Sequence, residues 1–188
     1  MTKRQRWTAA VVGMSLLLLG LAWWFGVGRE RSQDRPIRVA AQRYGVEPEL
    51  VKAIVWRESR FDPQARGGSG ELGLMQIRDL AAQEWADAER IESFVHEQCL
   101  DPSTNTLAGT WYLKKLLKRY SQTDNPVPYA LADYNAGRGN VLKWLDGAAA
   151  TNSAAFIEQI GFPGTQAYVR EVMARLAYYQ AGDFSPSK

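Results

Sequence analysis

The sequence predicts a mainly α single domain that carries one small Gly-rich loop or β-ribbon and follows an N-terminal transmembrane helix. Three observations predict it. An uncharged run over residues 7–27 follows Lys3, Arg4 and Arg6. Beyond it, apolar residues recur at helical spacing between Pro and Gly punctuation, without the strand and crossover alternation of a parallel sheet. Finally, Gly67, Gly68, Gly70 and Gly73 crowd a stretch that cannot be a stable helix. The chain has 188 residues, 46% of them hydrophobic, enough for one core of ordinary size.

A helix over residues 7–27, rising about 1.5 Å per residue, covers roughly the 30 Å hydrocarbon core of a bilayer. Trp7, Trp23 and Trp24 would stand near its interfaces. A cleaved signal peptide has a shorter apolar region ending in small residues, whereas this run ends Leu21-Ala22-Trp23-Trp24-Phe25. The basic residues before the span predict a cytoplasmic N-terminus, an asymmetry that Arg29 and Arg31 weaken. The expectation is a single-pass protein of the cytoplasmic (inner) membrane with its body on the periplasmic side. Residues 1–27 form the anchor, 28–35 a charged tether, 36–182 the domain and 183–188 a frayed tail.

Three of the 23 Lys and Arg residues precede residue 28, so the remaining 20 balance 20 Asp and Glu. The body is formally neutral, and no basic stripe points to nucleic acid. Cys99 is the single cysteine, which excludes an intrachain disulfide. It stands far from the apolar run, where a lipid-attachment cysteine would be. His96 and Cys99 have i, i+3 spacing, but no further His or Cys completes a metal site.

Within the body, Ile37, Ala40, Ala41 and Tyr44 form one helical face, stopped by Gly45. Pro48 opens the next helix, which runs to Ser59. Asp101-Pro102 is an N-cap with proline in the first turn, and Leu113, Leu116, Leu117 and Tyr120 carry that helix to about Tyr120. Pro126 and Pro128 start another, ending near Gly137; Val141, Trp144 and Leu145 mark a short one. The last carries Val169, Val172, Met173, Leu176 and Tyr179 before Gly182 and Pro186.

The helix over 48–59 holds the candidate chemistry. Val51, Ile54 and Val55 lie at i, i+3 and i+4, and the i+7 position of that core-facing stripe is Glu58. Burial and the negative end of the helix dipole both disfavour the carboxylate, which raises its pKa and suits a general acid. Position alone equally allows a solvated Glu58 paired with Arg57, Arg60 or Arg66.

Four landmarks then follow in order: Glu58-Ser59, Gly73-Leu74-Met75-Gln76-Ile77, Ala132-Asp133-Tyr134-Asn135-Ala136-Gly137, and Tyr168-Val169 opening the last long helix. Together they resemble the catalytic domain of the soluble lytic transglycosylase (SLT) type, a lysozyme-like α fold that cleaves peptidoglycan between N-acetylmuramic acid and N-acetylglucosamine. The resemblance implies that Glu58 protonates the leaving oxygen and then acts as base, giving 1,6-anhydromuramic ends. It implies substrate-binding roles for Ser59, Met75, Gln76, Tyr134, Asn135 and Tyr168, with the Tyr168 hydroxyl at or near Glu58. No metal or cofactor is implied; the partner is the glycan strand.

Plainer readings stand beside these. Met75 suits a core as well as a groove, and Asn135 could simply neighbour a helix end at Gly137. The chain departs from the family pattern at Gly67, where many members have a serine that Ser69 could replace. It departs again at Pro163-Gly164-Thr165-Gln166, where Pro-Glu-Thr-Arg is frequent. The rivals are a muramidase on the same fold, with Asp62, Glu71 or Asp133 as second carboxylate, and an inactive glycan-binding or envelope scaffold module.

Overall fold

In the computed structural model, the described residues are 28–182, Phe184 and the scattered positions 2, 4, 5, 7, 8, 12, 14, 15 and 20. The expected membrane anchor over 1–27 and the expected tail over 183–188 therefore lie largely outside the described residues. Among the described residues, no helix is long and apolar enough to cross a membrane.

Among the described residues, eight α-helices and two short 3₁₀ turns follow residue 33. They are α1 (Asp34–Tyr44), α2 (Pro48–Ser59), α3 (Asp79–Ala88), α4 (Pro102–Arg119), α5 (Pro126–Ala136), α6 (Arg138–Trp144), α7 (Ser153–Gln159) and α8 (Pro163–Ala181). The 3₁₀ turns, His96–Leu100 and Gly147–Ala150, precede α4 and α7. The expected punctuation forms the element ends. Gly45 closes α1 at φ 62°, Pro48 opens α2, and Asp101 caps α4 by accepting the Thr104 N–H at 2.8 Å.

Two helices have weaker sequence signals. In α3, Leu80 faces solvent while Ala82, Trp85 and Ala86 are buried, so one tryptophan and two alanines carry its apolar face. The seven residues of α7 are too few for a periodic pattern, and it is fixed by Asn152, which accepts the Ala155 N–H at 2.9 Å. The expected β-ribbon reduces to two isolated antiparallel bridges, Arg66 to Leu72 and Leu72 to Ile77.

The stretch expected to be a tether is helical over residues 28–32 and bound to the body. Arg29 pairs with Asp62 at 2.8 Å, and Glu30 reaches both Lys52 and Arg175 at 3.4 Å. Lys52, only 4% exposed on α2, is neutralised by Asp34 at 2.7 Å. A buried ammonium needs such partners, because desolvation alone would cost several kcal/mol.

The main core gathers Ile54 and Val55 of α2, Leu113 and Leu116 of α4, Tyr129 and Leu131 of α5, and Val169 and Val172 of α8. Each such burial contributes about 1.5–3 kcal/mol. Helix α2 packs on α8, and α5 packs on α4 and α8. The C-terminal end of α2 is thereby walled by α5, α8 and the glycine loop.

That loop is clamped from α4. Asn105, fully buried, accepts the Met75 N–H at 2.7 Å and donates to the carbonyls of Leu72 and Cys99, each at 2.7 Å. Gly73, at φ 72°, is required here, since a Cβ would overlap the Asn105 amide and the Cys99 carbonyl.

Candidate active site

Glu58 lies in the last turn of α2, half-buried, on the wall of a cavity of about 460 Å³. The helix ends just beyond it, with Arg60 at φ 51° and Phe61 at φ 63°. Two successive non-glycine residues in the left-handed region cost about 1–3 kcal/mol each, and the burial of Phe61 holds the second in place. This turn carries the chain from the carboxylate into the loop that forms the facing wall.

Burial pushes the Glu58 carboxyl up to about 7, against the opposing pull of the Tyr168 hydroxyl and the Arg57 guanidinium; the negative charge of Glu71 adds to the rise. Tyr168, 2% exposed on α8, donates its O–H to Glu58 Oε1 at 2.7 Å. Burial holds the Tyr168 phenol well above its ordinary range, so it stays a neutral donor. Arg57 packs over the Tyr168 ring at 5.4 Å and pairs with Glu171 at 2.6 Å. The result is a carboxyl fixed in place and raised toward neutrality, where both the protonated and the charged form are within reach.

Gln76, Tyr134 and Asn135 share the cavity wall with Glu58. Gln76, at φ 45°, donates its amide hydrogens to the carbonyls of Ala65 and Gly73 at 3.1 and 2.9 Å. Tyr134 donates to the Met75 carbonyl at 2.7 Å, and its ring lies 5.7 Å from that of Tyr112. Asn135 accepts from the Thr165 hydroxyl at 2.8 Å, which leaves its amide nitrogen as a donor for the cavity.

Ser59 and Met75 lie elsewhere. Ser59 donates to the carbonyls of Val55 and Leu74, at 3.2 and 2.8 Å, and so ties the helix end to the loop. Met75 is fully buried and belongs to the core. It fills the space that Gly109 leaves on α4, where a Cβ would come within 2.5 Å of its sulfur. The groove position expected for Met75 is therefore corrected to core: its backbone carbonyl, through Tyr134, is what it contributes.

The three candidate second carboxylates divide clearly. Asp62 pairs with Arg29. Asp133, with a side chain only 2% exposed, accepts from Arg119 at 2.5 Å and Tyr120 at 2.8 Å, bracing α4 against α5. Both Glu71 and Asp133 line the cavity; what separates them is that Asp133 is buried against Arg119 and Tyr120. Burial pushes Glu71 up, but the Arg78 guanidinium and the backbone N–H groups around it outweigh this and hold the carboxylate below its usual range. His96 bonds through its ring nitrogen to the Ile77 carbonyl at 2.9 Å, and Cys99 is buried in the small cluster with Leu72, Ile77 and Ala82.

Sequence reasoning missed Thr165 as the partner of Asn135, Tyr112 as the neighbour of Tyr134, and Asn105 as the clamp on the loop. A polar residue on the apolar stripe of α4, four residues before Gly109, was the available signal for Asn105.

Comparison with known proteins gives the chain's relatives. The family model described as the transglycosylase SLT domain matches residues 35–157. The soluble lytic murein transglycosylase of Escherichia coli K12 is 38% identical over 130 residues, 68% of this chain and 20% of that one. The membrane-bound lytic murein transglycosylase F of Desulfosudis oleivorans is 37% identical over 108 residues, 56% of this chain and 22% of that one. Among solved structures, the lytic transglycosylase Slt of Pseudomonas aeruginosa, as an inactive mutant, superposes with a TM-score of 0.70 at 29% identity, covering 78% of this chain and 24% of that one. The chain thus spans about a fifth of the length of these curated relatives.

Proposed function

The chain belongs to the transglycosylase SLT family, and from that premise we propose that it is a lytic transglycosylase cutting the β-1,4 bond between N-acetylmuramic acid and N-acetylglucosamine in peptidoglycan. The observation that carries this reading is the pair of Glu58 and Tyr168: one carboxyl, held near neutrality in a cavity large enough for sugar rings, with a hydroxyl fixed 2.7 Å away.

The reaction follows from that arrangement. Protonated Glu58 gives its proton to the glycosidic oxygen as the C1–O bond breaks. The resulting carboxylate then takes the proton of the muramic acid C6 hydroxyl as that oxygen bonds to C1, so a 1,6-anhydro ring forms and no water is consumed. The nucleophile is tethered to the electrophile, which supplies proximity without a bound water. Gln76, Tyr134 and Asn135 place the sugar, and Tyr168 aims the carboxyl.

The wider organisation belongs to the same proposal. Residues 1–27 hold the enzyme in the inner membrane, 28–35 join the anchor to the body, and the domain over 36–182 faces periplasmic murein. The uncharged run over 7–27 and the relatives named as membrane-bound support it. A muramidase is favoured by one observation, the presence of further carboxylates, Glu71 and Asp133, on the cavity wall, of which Asp133 is engaged by Arg119.

Zymography with purified peptidoglycan tests the assignment. Glu58→Gln keeps the volume and cannot donate the proton, so turnover falls by at least about a hundredfold while the fold is kept. A folded variant with wild-type turnover contradicts it.

A further inference from the structure

Gly67 is not required by its backbone, which lies outside the left-handed region that favours glycine. Space is what excludes a side chain. A Cβ at this position would overlap Glu71 Oε2 and would lie 2.8 Å from Gln76 Oε1. Two acceptor oxygens therefore converge on the room that Gly67 leaves, and both residues wall the cavity that holds Glu58.

Each oxygen is fixed from behind. Glu71 Oε1 accepts Arg78 Nε at 2.8 Å and Nη2 at 2.7 Å, and Oε2 accepts the Ser69 N–H at 2.9 Å. The amide nitrogen of Gln76 is committed to Ala65 and Gly73, so its oxygen is the atom left for the cavity. A carboxylate and an amide oxygen side by side offer acceptors and no donor, and an uncharged N-acetyl sugar presents the complement, hydroxyl O–H and acetamido N–H groups.

We propose that Glu71 is a substrate-positioning residue: Glu71 Oε2 and Gln76 Oε1 receive an O–H or N–H of the sugar bound beside Glu58. Ser69 serves through its backbone N–H, its side chain being exposed. The proposal rests on the glycan-cleaving reading and names the residue that holds the glycan.

The test is a swap. Glu71→Ala loses a charge-assisted hydrogen bond to substrate, so kcat/KM on peptidoglycan falls by roughly tenfold to a hundredfold. Gly67→Ser alone brings a side chain against the Glu71 carboxylate and falls comparably. The double variant, with a hydroxyl in the space the carboxylate vacates, returns to within about threefold of wild type. On a Glu58→Gln background, calorimetric titration with chitotetraose shows the same loss and recovery in affinity. The groups facing Glu58 are Arg57 on its own helix, Tyr168 on α8, Tyr134 on α5 and Glu71; Glu71→Gln removes one negative charge and moves the alkaline limb of the pH profile downward. Additive losses in the double variant, or chitotetraose affinity unchanged by Glu71→Ala, overturn the proposal. A wild-type chain that leaves peptidoglycan uncut counts against the proposed function instead, and the chitotetraose titration still decides the role of Glu71.

Discussion

The hydroxyl of Tyr168 donates to Glu58 Oε1 at 2.7 Å, joining residues 110 positions apart. Removing it with Tyr168→Phe preserves ring packing against Arg57 and takes away the hydroxyl that aims the carboxyl. Turnover should fall about tenfold, the worth of one hydrogen bond to a charged or ionising group, with KM little changed. Steady-state kinetics on purified glycan strands checks this; a pure KM effect would assign Tyr168 to binding.

Glu58 must be protonated to start the reaction, and its carboxyl is raised to about 7. The alkaline limb of kcat/KM should therefore fall with a midpoint near pH 7, and a limb near the ordinary carboxylate range would refute the burial argument.

Linkage gives that shift a sign in stability. The native state holds the proton more tightly than the unfolded chain, so between the ordinary carboxylate pKa near 4.5 and about 7 stability is lost as pH rises. Glu58→Gln has no charge to bury. Its melting temperature should exceed that of wild type at pH 8, with the difference shrinking toward pH 4.5. Equal melting temperatures at pH 8 would mean that the carboxylate is already compensated in the native state.

Asn105 satisfies three backbone groups around the glycine loop from a fully buried position. Asn105→Ala orphans them, costing about 1–3 kcal/mol for each group left unsatisfied, and loosens the wall that carries Glu71 and Gln76. Chemical denaturation should show a large loss of stability, together with faster amide exchange at Met75. A change below about 1 kcal/mol would show that water replaces the clamp.

Much of this architecture was legible because local rules and tertiary packing agree. Pro48 and Gly45 mark real helix ends, and the i, i+3, i+4, i+7 series from Val51 to Glu58 places the acid on the face that meets α8. What stayed hidden depends on contacts across the chain. Nothing near Met75 announces Gly109 on α4, whose missing side chain draws the thioether into the core. Nothing near Gly67 announces that Glu71 fills its space. The charged stretch over 28–35 reads as solvated by composition, yet Glu30 meets Lys52 and Arg175, residues whose roles appear only when α2 and α8 are folded together.

The most direct test of the central claim is mass spectrometry of unreduced products from purified peptidoglycan digested by the wild-type chain. With Asp62 and Asp133 committed to arginines and Glu58 serving as acid and then base, the muramic ends should be 1,6-anhydro forms, each lighter by one water than a reducing end. A predominance of ordinary reducing muramic ends would contradict the transglycosylase reaction and assign a water-activating role to Glu71.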